Sequence, residues 1–402
     1  MADFLQTLIT AITVGSLYAL IALGYTMVYG ILKFINFAHS DIFVLGAWSS
    51  YTAATFLMSR FGMDPGHVPP IWFGGLVLLI AMIVCGTVGF TIERLAYKPL
   101  RRAPRLNVLI TAIGVSLLLQ NVGQLQFKIA DDLRLPFGTR PQRMPSLLPD
   151  TALNDSTIAR GTLTAGEAKD AVRFDTPITV TEDRGYRLDV TPPPAAGLEN
   201  LTYRLMAAPG SYAPDQDVTI DANIDAAEIN GSSYRLVLEP VVPILLVDVA
   251  IVVSAIALMI GLELLVYRTR MGAAMRACSH STDLASLMGV PVDRVISFTF
   301  ILGSMLAAAA GFLNSLKYPG LNLPAHEIWV LLGLKAFVAA VVGGIGNVRG
   351  AVLGGFLIAF IEFFGMRYID TNLRDVYVFV VLIIVLLVKP SGLLGSTVRE
   401  KV

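Results

Sequence analysis

The sequence contains little that soluble enzymes use for chemistry. It has two cysteines, Cys85 in an apolar run and Cys278 in a basic loop, and these positions suit neither a disulfide nor a metal site. It has no Walker P-loop, CxxC pair, HExxH or GxSxG motif, which excludes the ATPase, thiol-redox, zinc-protease and serine-hydrolase chemistry of those motifs. We therefore expect no catalytic residue and no metal or cofactor bound by this chain.

Charge is also scarce. Charged residues make up 15% of the 402 residues and the formal net charge is zero, so the basic excess typical of nucleic-acid-binding proteins is missing. Hydrophobic residues make up 55%, and the mean hydropathy is +0.67. This composition predicts an all-α polytopic membrane protein, because helices satisfy their own backbone groups in lipid.

Nine apolar runs approach the roughly 17–25 residues that a membrane-crossing helix needs. They predict eight or nine transmembrane helices, some of them interrupted, and the last three runs are the shortest. The runs lie at 4–29, 42–58, 71–92, 108–127, 242–266, 295–316, 328–342, 351–365 and 376–388.

A stretch of different composition separates two hydrophobic halves. Residues 1–129 form the predicted N-terminal transmembrane half, and residues 242–402 form the C-terminal half. Between them, residues 130–241 are rich in Asp, Thr, Pro and Gly and contain alternating segments such as TPITVTEDRGYRLDV. Period-two alternation bounded by Pro and Gly predicts strands, so we expect a β-rich insertion, with a partly ordered loop as the alternative.

Basic residues predict the orientation of the chain in the membrane. Lys and Arg crowd the connections at 98–105 and 268–294, and the positive-inside rule places both in the cytoplasm. The insertion then lies outside the cytoplasm and the C-terminus inside it. Counting back through nine helices places the N-terminus outside, although a re-entrant segment would change that count.

The first polar interruption, INFAHSDIF, directly follows the first apolar run. A cytoplasmic turn that faces water is one interpretation, and a broken helix whose polar groups line the translocation path is the other. A helix that restarts here offers free N–H groups to a substrate carboxylate, and an acidic side chain favours an ammonium group. The candidate residues are Asn36, His39, Ser40 and Asp41.

A second interruption, GGIGNVRG, joins two short apolar runs near the C-terminus. Short, Gly-interrupted segments in both halves of a transporter are typical of the translocation path; two small-residue helices with a cytoplasmic turn are the alternative. Ionisable residues inside apolar runs usually face the bundle interior. The candidates here are Lys335, Gly343, Gly344, Gly346 and Glu362. Glu93 and Glu263 are expected to pair with Arg94 and Arg268 at the membrane surface.

The loop at 268–294 contains MGAAMRACSHSTDLASLMGVPVDR. Ser281 or Thr282 is expected to cap a short helix, which Gly289 and Pro291 end. An exposed helix with caps at both ends suits docking into a groove of a soluble partner, and a plain connector is the alternative. The docking candidates are Arg276, Asp283, Ala285, Ser286, Leu287, Gly289 and Pro291.

Several long segments together resemble a known family. GSLYALIALGYTMVYGILKFINFAHSDIFVLGAW, ERLAYKPLRRAPRL, RACSHSTDLASLMGVPVDRVISFTFILG and LKAFVAAVVGGIGNVRGAVLGG are similar, in this order, to segments of LivH-type permease subunits of branched-chain amino acid ABC importers. The resemblance covers nearly the whole chain apart from the insertion. It departs at Ser40 and Asp41, where the family usually has Gly and Glu.

The resemblance implies a permease subunit that forms the path for branched-chain amino acids by alternating access, in the inner membrane of a prokaryote. The implied partners are a second permease subunit in a heterodimer, two cytoplasmic ATPase subunits that use ATP, and an extracytoplasmic solute-binding protein. The insertion is expected to contact that binding protein or to cap the outer mouth.

Other functions stay open at this stage. The same scaffold could import urea, short amides or other small amino acids. The chain could also be a membrane-anchored receptor, or an ion-coupled secondary transporter in which Lys335 and Glu362 carry the coupling.

Overall fold

The computed structural model describes residues 1–63, 68–101, 103–123, 127–128, 134–135, 142–149, 151–181, 185–192, 201–214, 216–221, 226–321 and 327–395. The chain divides into two compact units. A helical unit contains Thr7–Asp150 and Val247–Val402, and a β-rich unit contains Met1–Gln6 and Thr151–Leu246. The predicted insertion at 130–241 overlaps the β-rich unit but does not share its limits.

Long apolar runs form most of the α-helices, as expected where the backbone must satisfy itself in lipid. The helices are α1 (Ala2–Leu32), α2 (His39–Arg60), α3 (Ile71–Ile92), α4 (Arg105–Val122), α5 (Leu246–Arg268), α6 (Arg270–His280), α7 (Thr282–Leu287), α8 (Val292–Lys317), α9 (Glu327–Gly343), α10 (Val348–Tyr368) and α11 (Arg374–Val388). A π-turn at Glu93–Tyr97 and a 3-10 turn at Lys98–Leu100 continue α3.

Seven helical segments in the described residues are long and apolar enough to cross a membrane. Two shorter apolar helices, Leu106–Val122 and Leu331–Gly343, accompany them. The prediction of a polytopic membrane protein is confirmed, and the number of crossings stays a prediction. Among the seven long segments, α1, α2 and α8 are the most buried, whereas α5 and α11 leave many apolar side chains exposed, as lipid-facing helices do.

Small residues bring α2 and α8 into close contact. Gly46 of α2 lies against the backbone of Ala308, and Gly311 of α8 lies against the backbone of Phe43 and Ala47. A side chain at either glycine would meet backbone atoms. Membrane helices commonly approach each other in this way, because small residues let two backbones pack directly.

The β-rich unit confirms the predicted β-rich character of the insertion. Six antiparallel strands close into a barrel in the order β10 (Val218–Asp221), β5 (Ala171–Phe174), β4 (Ser156–Ala165), β11 (Ser233–Leu238), β7 (Tyr186–Thr191) and β8 (Leu201–Leu205). Alternating residues of these strands fill its interior, where Leu163, Val172, Leu188 and Leu236 are fully buried. The strands of the chain are β1 (Phe127–Lys128), β2 (Arg134–Leu135), β3 (Gln142–Arg143), β4 (Ser156–Ala165), β5 (Ala171–Phe174), β6 (Ile178–Val180), β7 (Tyr186–Thr191), β8 (Leu201–Leu205), β9 (Gly210–Tyr212), β10 (Val218–Asp221), β11 (Ser233–Leu238) and β12 (Gly320–Leu321).

The two chain ends of the barrel lie side by side. Ala152 pairs with Leu245 in an antiparallel bridge. Leu153 N–H donates to the carbonyl of Ile244 at 2.8 Å. Strand partners of this kind lie about 5 Å apart, so the chain enters and leaves the barrel at nearly the same point.

Candidate translocation site

The first polar interruption lies inside the helical unit. Helix α1 ends at Leu32, and Lys33 reverses the chain with a φ of 56°. The chain then has no regular structure until α2 begins at His39. The His39 ring lies against Gly24, eight residues before the end of α1 and therefore about 12 Å from that end. The interruption thus runs back alongside α1, and α2 begins at depth within the unit.

The predicted residues of this interruption are buried, and most of their polar atoms contact other protein groups. Asn36 Oδ1 accepts from the Tyr97 hydroxyl at 2.6 Å, and His39 Nε2 lies 3.3 Å from the carbonyl of Ile21. Ser40 Oγ donates to a carbonyl three residues earlier at 3.0 Å. This arrangement favours the broken helix over a turn that faces water, and a role in transport stays a prediction. The contribution of Tyr97 gave no signal in the sequence.

Asp41, in the first turn of α2, has one paired and one unpaired carboxylate oxygen. Its Oδ1 accepts from Gln120 Nε2 of α4 at 3.0 Å. The same amide donates to Ser116 Oγ at 3.1 Å, and Ser116 also interacts with the carboxylate. Asp41 Oδ2 is buried and has no hydrogen-bond partner among the described residues. A strong acceptor is thus withdrawn from water without full compensation.

A cavity opens beside Asp41 between α2, α3 and α4. Most of its surface is aliphatic or aromatic, and among the described residues that line it Asp41 is the one with an ionisable side chain. The cavity is lined by Asp41, Val44, Leu45, Trp48, Val88, Leu119, Gln120, Val122 and Gly123. An apolar cavity with one or two fixed polar groups has the composition of a small-molecule binding site.

Lys335 and Glu362 lie together in a buried ionic network. Lys335 Nζ is 2.8 Å from Glu362 Oε1 and 2.5 Å from Asp375 Oδ1. Glu362 also pairs with Arg374 and accepts from the Tyr18 hydroxyl at 2.7 Å. The two predicted candidates therefore neutralise each other. Sequence reasoning missed the other three members, because Arg374 and Asp375 stand at the edge of an apolar run, where charges are common.

The expected partners of two other glutamates are wrong. Glu93 is fully buried and pairs with Arg101, not with the adjacent arginine, because neighbours in a helix point in different directions and the turns after α3 bring Arg101 back. Glu263 pairs with Arg349 of α10 at 2.8 Å, not with the arginine that ends its own helix. Glu93 finds its partner eight residues along the chain, and Glu263 finds its partner on a different helix. Local sequence patterns reveal neither contact.

The glycines of the second interruption form a tight turn between α9 and α10. Gly344 and Gly346 have φ values of 109° and 94°, which disfavour any other residue. The backbones of Gly343 and Gly350 touch, and Asn347 Oδ1 accepts from the N–H groups that begin α10. These contacts explain the glycines through packing, as the alternative interpretation expects, and a place on the path stays a prediction.

The loop at 268–294 contains two capped helices. Thr269 Oγ1 caps α6, and Ser281 Oγ accepts from the N–H of Leu284 at 3.3 Å to cap α7, as predicted. Gly289 follows the end of α7 with a φ of 80°, and Pro291 directly precedes α8. The loop is therefore a folded element with defined ends.

The exposed surface of α7 differs from the predicted one. Ala285 is buried, because it faces the helical unit. The apolar side chains of Leu284, Leu287 and Met288 are 59%, 81% and 84% exposed. Asp283 and Ser286 are exposed beside them, whereas Arg276 stacks its guanidinium on the Tyr267 ring at 5.4 Å and donates to the carbonyl of Val266. The exposed apolar surface of α7 is thus the group Leu284, Leu287 and Met288, which we call the α7 tip.

The two cysteines, Cys85 and Cys278, are both free and buried, and burial raises the pKa of the Cys278 thiol. Within the described ranges, no group of three or more His, Cys, Asp or Glu residues is arranged to hold a metal ion.

Residues 7–150 and 203–387 match the family described as branched-chain amino acid transport system / permease component. The chain is 33% identical to the high-affinity branched-chain amino acid transport system permease protein BraD of Pseudomonas aeruginosa, over 99% of this chain and 98% of that protein. It is 32% identical to the corresponding LivH protein of Escherichia coli K12, with the same coverage. A shorter match, 32% identity over 147 residues, links it to a probable LivH of Methanocaldococcus jannaschii. No solved structure matches the chain.

Proposed function

The chain belongs to the permease family of branched-chain amino acid transport systems, and from that premise we propose that it forms an ATP-driven import path for branched-chain amino acids. It is a transport subunit rather than an enzyme. In this proposal, partner subunits hydrolyse ATP, and helix movements expose the path alternately to the two sides of the inner membrane.

The observation that carries the proposal is that α2 begins deep within the helical unit, beside Gly24 of α1. Irregular backbone is tolerated within a membrane only where it is buried in protein or lines a cavity, and here it lies directly before a cavity with an unpaired carboxylate. Substrate sites of transporters are typically built at such broken helices. Asn36, His39, Ser40 and Asp41 are the path residues we propose. For the Gly343–Gly346 turn and the Lys335–Glu362 pair, the packing contacts support a structural role instead.

Uptake of labelled leucine tests this function. Proteoliposomes would contain this chain with its second permease, both ATPase subunits and the solute-binding protein, with and without enclosed ATP. We expect ATP-dependent leucine accumulation that unlabelled valine and isoleucine suppress. ATPase stimulation by urea or a short amide, without leucine uptake, would show that the importer carries a different solute. Uptake driven by an ion gradient alone would overturn the ABC importer assignment.

We propose that the α7 tip docks on an ATPase subunit. Exposed apolar side chains on a short, doubly capped helix are suited to a groove in a soluble partner, and rigid caps let the helix transmit movement. Leu287→Asp should reduce co-purification of the ATPase subunits and ATP-driven uptake together. Met206→Asp, which changes a comparably exposed apolar residue of the barrel, is the control for co-purification. Normal co-purification with Leu287→Asp would contradict the docking proposal.

We propose that this loop and the C-terminus face the cytoplasm and that the barrel lies outside it, as the positive-inside rule predicts. An impermeant maleimide applied to intact cells should label Lys169→Cys in the barrel. His280→Cys in the loop should react only after permeabilisation. Background reaction should be low, because both native thiols are buried. The opposite labelling pattern would invert the topology.

The barrel is proposed to contact the solute-binding protein. The family match omits residues 151–202, which include β4 to β7, so the barrel contains sequence beyond the family pattern. Because its chain ends pair at Ala152 and Leu245, residues 155–241 can be replaced by an Asn-Gly hairpin turn with little disturbance of the flanking helices. This variant should insert normally but need more binding protein for half-maximal uptake. Unchanged dependence on binding protein would rule out the contact.

A further inference from the structure

The cavity beside Asp41 combines features that point to one kind of ligand. Its walls come from three helices of the helical unit, and the side chains of Val44, Leu45, Val88 and Leu119 make them largely aliphatic. Apolar walls of this kind favour a hydrocarbon group, because its transfer from water releases about 0.8 kcal/mol per buried CH₂. A wholly hydrocarbon ligand would nevertheless leave the acidic group in this cavity without a partner.

The unpaired oxygen of Asp41 supplies the second feature. Asp41 is 5% exposed, its Oδ1 is held by the Gln120 amide, and its Oδ2 has no hydrogen-bond partner among the described residues. The amide fixes the direction of the carboxylate and leaves Oδ2 as the acceptor for a further donor. A buried carboxylate that lacks a partner is costly, and a cationic donor removes most of that cost.

We propose that Asp41 Oδ2 binds the ammonium group of a branched-chain amino acid, while the aliphatic side chain of the ligand occupies the cavity against Val44, Leu45, Val88 and Leu119. This inference rests on the proposed function and assigns the substrate subsite within it. An organic ammonium fits better than a metal cation, since Na⁺, Mg²⁺ or Ca²⁺ would need several oxygen ligands and this cavity offers mainly hydrocarbon.

The location agrees with a transport site. Asp41 lies two residues after His39, whose ring contacts Gly24 at about 12 Å from the end of α1. The subsite therefore lies well inside the helical unit, at a depth where transporters hold their substrates during alternating access. Asp41 of α2 contacts α4 here through the Gln120 amide and through Ser116, and a bound ammonium group would add a contact at the same carboxylate.

Leucine binding to the assembled complex, without the solute-binding protein, tests the proposal. Labelled leucine would be bound to the complex in nanodiscs and displaced by two analogues. 3-Methylbutylamine keeps the ammonium group and branched chain, whereas 4-methylpentanoate keeps the carboxylate and branched chain. We expect the amine to compete and the acid not to compete. Asp41→Asn, which keeps the shape and the Gln120 contact, should weaken leucine binding about 10- to 100-fold.

Two further variants separate the subsite from general damage. Leu119→Trp should fill the cavity and weaken leucine binding while Asp41 stays intact. Asn121→Ala, on the exposed side of α4 and outside the cavity, should bind leucine like the wild type. The thermal unfolding temperature of each complex would be measured in parallel, so that a loss of binding in an unfolded variant is recognised.

The possible results are distinct. Competition by the acid but not the amine, or unchanged leucine affinity in Asp41→Asn, would overturn the subsite. So would the absence of saturable binding up to about 10 mM leucine in a wild-type complex that still shows ATP-driven leucine uptake. In these cases the importer function stands. Loss of leucine uptake in the wild-type complex would instead count against the proposed function itself.

Discussion

Removing the carboxylate of Glu362 should destabilise the helical unit more than any other single change in its ionic network. Glu362 is fully buried and accepts from three donors, on Lys335, Arg374 and Tyr18. Glu362→Leu puts an apolar side chain of similar size in α10 but leaves a buried ammonium and a buried hydroxyl with fewer partners. Breaking a buried ion pair in this way costs about 3–5 kcal/mol.

The other members of the network set the expected order of effects. Lys335→Met leaves Glu362 with two of its donors, and the carboxylate of Asp375 is partly solvated, so this change should cost less, about 1.5–3 kcal/mol. The double variant Lys335→Met/Glu362→Leu removes both central charges. Its loss should be smaller than the sum of the single losses by about 1–3 kcal/mol, because the two residues are in direct contact.

Reversible unfolding of the full chain in mixed micelles, followed by helical circular dichroism, measures these differences. Glu263→Leu is the matched control, because it makes the same chemical change in a pair with Arg349 that is largely exposed. It should change the free energy of unfolding by no more than about 1 kcal/mol. A Glu362→Leu loss no larger than that of the control, or full additivity in the double variant, would refute this account of the network.

Three further changes test packing, capping and charge elsewhere in the chain. Gly46→Leu should cost about 3 kcal/mol by forcing α2 from α8, whereas Gly74→Leu, where the space is open, should change the free energy of unfolding by less than about 0.5 kcal/mol in the same assay. Ser281→Ala removes the cap of α7, worth about 1 kcal/mol, and should speed hydrogen exchange of that helix about fivefold; an unchanged rate would contradict the cap. A hydrogen bond from Thr162 N–H lowers the pKa of Asp175, so this carboxylate stabilises the barrel above about pH 4 and loses that effect as the pH falls through its lowered pKa. Hydrogen exchange of β4, corrected for the intrinsic rate, should show this acid sensitivity in the wild type and less of it in Asp175→Asn.

The sequence predicted those features that local pattern determines. The lengths of the apolar runs, together with the need for backbone groups to pair internally in lipid, predicted the membrane helices. Period-two alternation of apolar and polar residues predicted the β-rich insertion. The Ser281 cap and the restart of a helix at His39 also follow from short-range chemistry. In each of these cases the physical cause lies within a few residues of the feature it produces.

Features that depend on tertiary contacts or on unusual turns could not be predicted from local sequence patterns. The inward orientation of Ala285 follows from packing of α7 on the helical unit, and the partner of Glu93 from a π-turn that no propensity signals. The unpaired oxygen of Asp41 appears only when α4 brings Gln120 to the other oxygen. Sequence reasoning selected Asp41 as a predicted site for an ammonium group, but had no means of locating the cavity next to it.

Lys335 and Glu362 can likewise be interpreted only once their tertiary contacts are known. As isolated charges in apolar runs, they suggested ion coupling in a secondary transporter. In the structure, two cations, Lys335 and Arg374, face two anions, Glu362 and Asp375, so the charges of the network balance without a bound ion. A group that couples transport to an ion must exchange that ion for another partner, and here each charge already has a protein partner. The double variant Lys335→Met/Glu362→Leu should therefore keep ATP-driven leucine uptake per folded complex. Loss of uptake in a folded double variant, with ATPase activity retained, would return these residues to the transport mechanism.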